Sequence, residues 1–106
     1  MAPDTVIIVN PKSQGGATGR RWPALASEVR KHFPFEVKLT EAPRQATELT
    51  RAALAAGAER IIAVGGDGTI NEVINGFFVD GAPIRPSARF GLLPLGTGGD
   101  FRRTLQ

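Results

Sequence analysis

Apolar residues along this chain fall into two kinds of run. Thr5-Val6-Ile7-Ile8-Val9 and Ile61-Ile62-Ala63-Val64 are continuous, rich in β-branched residues and without polar alternation. That is the pattern of strands buried on both faces of a parallel sheet. Phe35–Leu39 alternates instead, with Phe35, Val37 and Leu39 set against Glu36 and Lys38, and predicts a sheet-edge strand with one solvated face. Phe90–Leu95 is the last strand-like run. Between the strands, apolar residues recur at helical spacing. Trp22, Leu25, Ala26, Val29 and Phe33 predict a helix over 20–33, with Pro23 tolerated in its first turn and Pro34 ending it. Ala46, Leu49, Ala53 and Ala56 predict a second helix over 44–56, capped by Gly57. In a third, Ile70, Val73, Ile74 and Phe77 point inward.

Strands alternating with helices predict an α/β fold of β-α-β-α-β-α-β order, a three-layer, Rossmann-like parallel sheet with helices on both faces. The polar, glycine-rich stretch 12–19 and the two-proline stretch 80–88 read as loops. Right-handed crossovers gather every strand-to-helix loop on one sheet edge, where open α/β sheets bind ligands. Those loops are 10–16, Thr40, 65–69 and 96–100, and three of the four are glycine-rich and carry a hydroxyl residue. The order of the strands is not encoded in any local pattern.

The loop after the third strand is the most informative. Gly65-Gly66-Asp67-Gly68 leads into Thr69-Ile70-Asn71-Glu72, where Thr69 and Glu72 have capping-box spacing and place the helix start at Thr69. The glycines admit left-handed backbone, with Gly66 as a candidate, and close approach of a ligand. Free N–H groups of the first helical turn then make a phosphate cradle. Asp67 has two functional roles open to it, Mg²⁺ coordination or proton abstraction from an acceptor hydroxyl, beside that of a turn residue bonding its own backbone. Neither the dinucleotide fingerprint nor the P-loop is present: Gly66-Asp67-Gly68-Thr69-Ile70-Asn71 lacks the final glycine, and none of Lys12, Lys31 and Lys38 follows a glycine. His32 is the sole histidine, which excludes a histidine metal cluster, and no serine–histidine pair is favoured.

Composition adds bounds. The 106 residues fit one domain, and 42% hydrophobic with 22% charged residues describes a globular chain. Cysteine is absent, so there is no disulfide framework or thiolate metal site. No apolar run approaches the roughly 20 residues that span a bilayer. A cytoplasmic location is the expectation. The net charge of +3 suits phosphorylated ligands or an anionic membrane surface; basic residues come in short pairs without interleaved aromatics, which argues against nucleic acid.

Gly65-Gly66-Asp67-Gly68-Thr69-Ile70-Asn71-Glu72-Val73 resembles the nucleotide motif of the diacylglycerol kinase catalytic-domain family, which includes bacterial lipid kinases and the sphingosine and ceramide kinases. Its Gly-Gly-Asp-Gly-Thr core is similar, more distantly, to NAD kinases and 6-phosphofructokinases. Asn10-Pro11-Lys12-Ser13, Thr40, and Leu93-Pro94-Leu95-Gly96-Thr97-Gly98 with Asp100-Phe101 resemble the family's other strand-end motifs, in the family's order. The resemblance implies a 6-phosphofructokinase or NAD kinase-like domain that binds ATP with Mg²⁺. It implies transfer of the γ-phosphoryl group to a lipid hydroxyl. It places Asn10, Ser13, Thr40, Gly65, Gly66, Asp67, Gly68, Thr69, Asn71, Glu72, Gly96 and Thr97 around the nucleotide, with Asp67 the catalytic candidate and no metal ligand assigned. Three positions depart from the family pattern. Gln14 replaces a glycine, Arg44-Gln45 replaces Gly-His or Gly-Asp, and Gly99 replaces an asparagine. The resemblance also implies a second, β-rich domain after this one, absent from the chain, which stops at Gln106, barely two turns into its predicted last helix. That domain would supply the lipid site, the catalytic base and an ordered Mg²⁺ site, with peripheral contact at the inner membrane face. An NAD kinase-like enzyme and a free-standing nucleotide-binding module are the alternatives, and the sequence leaves oligomeric state open.

Overall fold

The structure, a computed structural model, describes residues 4–93. Four strands form a parallel sheet: β1 (Thr5–Val9), β2 (Glu36–Leu39), β3 (Arg60–Val64) and β6 (Arg89–Leu92). Helices α1 (Ala17–Arg30), α2 (Gln45–Ala55) and α3 (Asp67–Gly76) connect them, and a short hairpin of β4 (Phe78–Val79) and β5 (Ala82–Pro83) follows α3. The sheet order is β2-β1-β3-β6, so the two continuous apolar runs lie side by side in the centre and the alternating strand lies on an edge. The expected parallel α/β architecture is what the chain adopts.

Side chains alternate across the sheet and divide the core in two. Ile7, Val9, Ile62, Val64 and Leu93 pack under α1 against Trp22, Val29 and Phe35. Val6, Ile8, Ile61 and Ala63 pack under α2 and α3 against Ala46, Leu54 and Val73. Helices therefore cover both faces, the three layers predicted from the pattern. Helix α2 ends in a Schellman motif: Gly57, at φ +110°, donates its N–H to the Leu54 carbonyl (3.1 Å), and Ala58 donates to Ala53 (3.0 Å). The cap expected at Gly57 is there. Among the described residues, no helix is long and apolar enough to cross a membrane.

Several expectations are corrected. Helix α1 spans Ala17–Arg30 rather than 20–33, so the loop 12–19 shrinks to a tight, irregular turn at Ser13–Gly16. Pro23 accordingly lies in the second turn, where it removes a bond to the Gly19 carbonyl; it is tolerated on an exposed face. Helix α3 starts at Asp67 with Gly66 as its N-cap and no side-chain cap bond, so Thr69 and Glu72 form no capping box. Ile74 is 41% exposed, because it lies on the outer side of α3, away from Val73. On α2, Leu54 is buried and Ala56 is not. The 80–88 stretch begins inside a hairpin, whose tip Asp80-Gly81 has positive φ at both residues (+52° and +81°), as a type I′ turn requires. The last strand starts one residue early and is seen as Arg89–Leu92; Pro94 and Leu95 of the predicted strand, and the predicted final helix, lie outside the described residues.

The turn before α1 carries strain. Gln14 (φ +55°), Gly15 (+65°) and Gly16 (+90°) are all left-handed, and only the first has a Cβ. A Cβ in that region costs about 1–2 kcal/mol, of which glycine's greater unfolded freedom would return roughly 0.5–1. Gln14→Gly is therefore expected to stabilise the domain by about 0.5–1 kcal/mol, raising Tm by roughly 4 °C in a thermal melt. An unchanged or lower Tm would remove the strain at Gln14.

Candidate functional site

The carboxyl ends of β1, β2 and β3 open onto one crevice of about 310 Å³, lined by Asn10, Lys12, Thr40, Glu41, Ala42, Pro43, Ala46, Thr69 and Glu72. Each strand delivers one residue just past its end. Asn10 donates its N–H to the Val64 carbonyl (3.0 Å), and Thr40 donates to the Val9 carbonyl (2.8 Å), so both extend the sheet ladder to the crevice floor. Thr69 arrives from the first turn of α3. It is positioned by Gly65, where an added Cβ would lie 2.6 Å from Thr69 Oγ1 and 2.8 Å from its Cβ. Only a glycine lets α3 start this close to the end of β3.

Thr40 and Thr69 are 7% and 4% exposed, yet neither hydroxyl has a hydrogen-bond partner among the described residues. The other buried helix threonines do have partners: Thr50 donates to the Ala46 carbonyl (2.7 Å), and Thr18 bonds Ser13 Oγ. Neither hydroxyl oxygen is sealed from solvent, so both are polar groups open to the crevice and free to bond what occupies it. The α3 N-terminus adds to it, because without a side-chain cap the first-turn N–H groups stay available and carry the positive end of the helix dipole.

The loops around the crevice are braced. Asn10 Oδ1 accepts the Lys12 N–H (3.1 Å), which gives Asn10 the turn-forming role that its residue type allows. Ser13 Oγ donates to the Asn10 carbonyl (2.9 Å) and bonds Thr18. Gln45 Oε1 accepts the Glu41 N–H, tying the crevice wall to the first turn of α2. Thr47 Oγ1 donates to the Glu72 carbonyl (2.8 Å) and links α2 to α3 behind the site.

Of the residues expected around a nucleotide, the structure brings Asn10, Thr40, Thr69 and Glu72 together in the lining. Ser13 braces the loop, and Gly65 sets the position of Thr69. Gly66, Asp67 and Gly68 lie at the start of α3, with Asp67 and Gly68 exposed, and Asn71 is exposed beyond them. Gly96 and Thr97 lie outside the described residues. The pattern reading missed Lys12, Glu41, Ala42, Pro43 and Ala46; the one available signal was adjacency to Asn10 and Thr40. Gly66 is extended (φ −90°, ψ −172°), so the left-handed conformation considered for it does not occur. An added Cβ at Gly66 or Gly68 would meet nothing within 4 Å.

Parallel strand ends and a helix N-terminus that meet at one crevice form the edge at which open α/β sheets generally bind ligands. The model of the diacylglycerol kinase catalytic domain matches residues 4–106, and the chain belongs to that family. It is 39% identical over 100 residues to a diacylglycerol kinase of Staphylococcus saprophyticus, covering 93% of this chain and 32% of that protein. It is 35% identical over 105 residues to a "Probable lipid kinase YegS-like" protein of Pectobacterium atrosepticum, covering 98% and 33%. A crystal structure titled as a diacylglycerol kinase from Bacillus anthracis strain Sterne superposes with TM-score 0.59 at 33% identity, over 95% of this chain and 36% of that one. The chain thus spans about a third of the length of the curated relatives it matches.

Proposed function

We propose that this chain is the ATP-binding domain of a lipid kinase, whose lipid site and catalytic base reside in a second domain. The observation that carries this reading is the pair of hydroxyls of Thr40 and Thr69, without a partner among the described residues and open to one crevice beside the uncapped N-terminus of α3. Phosphate oxygens are strong acceptors that would satisfy both hydroxyls and the first-turn N–H groups. Asn10, Lys12 and Glu72 line the same volume and would orient the rest of the nucleotide.

The charges of the crevice support a divalent cation. Lys12 is opposed by Glu41 and Glu72, so the side chains alone do not neutralise a triphosphate. Among the described residues, no group of three or more histidine, cysteine or carboxylate side chains could hold a metal. Mg²⁺ fits such a site, since it is usually held by phosphates, waters and one or two carboxylates. Glu41 and Glu72 in the lining and Asp67 at the start of α3 are the carboxylates at hand, and the ion would neutralise charge on the phosphates. Phosphoryl transfer needs mainly positioning and charge stabilisation, and the α3 N–H groups, Thr40, Thr69 and Lys12 are placed to contribute both. The acceptor is a lipid hydroxyl reached at the inner face of the membrane by peripheral contact; nucleic acid is not a partner.

Isothermal titration calorimetry with Mg-ATP tests the reading on Thr69→Val, which removes the hydroxyl and keeps the shape. Because that hydroxyl bonds nothing among the described residues, the melting temperature should hold. Affinity should fall about 10- to 100-fold, the worth of a hydrogen bond to a charged group. Unchanged affinity, or no nucleotide binding by either form, would sink the proposal. In a protein extended past Gln106, labelled product on diacylglycerol supports a lipid kinase, and product on NAD replaces that reading with an NAD kinase.

A further inference from the structure

Strand β2 is an edge of the sheet, and its outer side is unpaired among the described residues. Thr40 directs its N–H inward to the Val9 carbonyl, so by strand alternation the N–H and C=O groups of Val37 and Leu39 point outward. In register with β1, Glu36 and Lys38 stand opposite Val6 and Ile8 on the α2 face. Val37 and Leu39 stand opposite Ile7 and Val9 on the α1 face. The two charged residues form an ion pair at 2.7 Å and border a groove of about 320 Å³ whose far wall is Leu49 and Ala53 of α2 and Ala56 at its C-cap. On the other face Leu39 is 51% exposed, with no covering element among the described residues.

We propose that β2 is a homodimer interface, at which two copies pair antiparallel about a twofold axis through Val37. In that register Val37 faces the partner subunit's Val37 and exchanges both backbone hydrogen bonds with it. Leu39 stands opposite the partner subunit's Phe35, whose ring stays in that subunit's own core, so the exposed leucine is shielded by the added strand and not by the ring. Glu36 faces the partner subunit's Lys38 in a non-hydrogen-bonded pair, where Cβ atoms come closest. The four charges then alternate in sign around the axis. Moving the axis to Glu36 or to Lys38 sets like charge against like, so the sequence Glu-Val-Lys is self-complementary in this register alone. Charged edge strands usually discourage pairing; here the two signs are spaced to permit one partner, a second copy of the chain. The inference needs no nucleotide and stands or falls apart from the proposed function.

Sedimentation of the 106-residue chain tests it, and the absence of cysteine removes disulfide artefacts. Over about 10 μM to 1 mM, a range suited to a small interface, the mass should rise reversibly toward a dimer. Glu36→Lys and Lys38→Glu should each weaken association at least about tenfold, and the double exchange should restore it. Val37→Pro should abolish it; the N–H it removes faces outward, so the monomer ladder is intact. Should that variant fail to fold by circular dichroism, the charge exchange still decides. A monomer throughout the range, or a dimer indifferent to the charge reversals, overturns the proposal.

Discussion

Replacing Gly76 by alanine is expected to cost the domain about 2 kcal/mol and to lower its Tm by roughly 10 °C. An added Cβ at Gly76 would lie 2.6 Å from Thr50 Cβ and 2.8 Å from the Thr47 carbonyl oxygen, so it meets the backbone and a β-branched side chain of α2 at once. Thr50 cannot rotate away freely, because its hydroxyl is bonded to the Ala46 carbonyl and the residue is fully buried. Alanine's better helix propensity returns up to about 1 kcal/mol, which is why the expected loss is moderate rather than total. The two helices must separate, and the Thr47–Glu72 link across them should break with them. Chemical denaturation checks this: Gly76→Ala together with Thr50→Ala should recover much of the loss, and a Tm unchanged in the single variant would mean that the helices are not in this contact.

At Gly66 the opposite outcome is expected. Gly66→Ala should leave Tm within about 2 °C, because the backbone is extended and the new methyl meets nothing within 4 Å. Nucleotide affinity should nevertheless fall about 100-fold, since a methyl beside the α3 N-terminus occupies the space through which phosphate approaches its N–H groups. Gly65→Ala reverses the pair of readouts, because its methyl collides with Thr69 and stability falls first. Thermal melts and Mg-ATP calorimetry on both variants separate a glycine kept for packing from a glycine kept for a ligand. Full nucleotide affinity in folded Gly66→Ala would remove the phosphate cradle.

Much of the fold is written in short-range pattern. Continuous β-branched runs marked β1 and β3, alternation marked the edge strand, and Gly57 marked the end of α2, because each reflects a local rule that tertiary packing did not override. What pattern misjudged was decided at longer range. Thr69 and Glu72 have capping-box spacing, but the closeness of Gly65 to Thr69 lets the helix begin two residues earlier and turns Thr69 into the crevice. Helix α1 begins at Ala17 rather than Arg20, since Gly19 donates its N–H to the Pro11 carbonyl (2.9 Å) and fits where a Cβ would meet that oxygen at 2.8 Å. The hairpin at Phe78–Pro83 was signalled by Asp80-Gly81, but its two-residue strands are too short to show alternation. For the site, strand ends and their order along the chain were readable. The wall from Glu41 to Ala46 was not, because it depends on how α2 leans over the sheet.

The sheet order has a kinetic consequence. The central ladder joins the first strand to the third, with Thr5 opposite Arg60 and Val9 opposite Val64, whereas β2 is added outside it. During synthesis β1, α1 and β2 can associate early, but Val6 and Ile8 lack their cover until α2 and β3 have been made. Contacts this distant in sequence raise the relative contact order and slow the search for the native pairing. The half-formed sheet meanwhile exposes an apolar strand with an unpaired edge, the species most prone to associate wrongly. In refolding, substitutions that weaken the β1–β3 ladder should slow folding, and those confined to the edge strand β2 should chiefly speed unfolding.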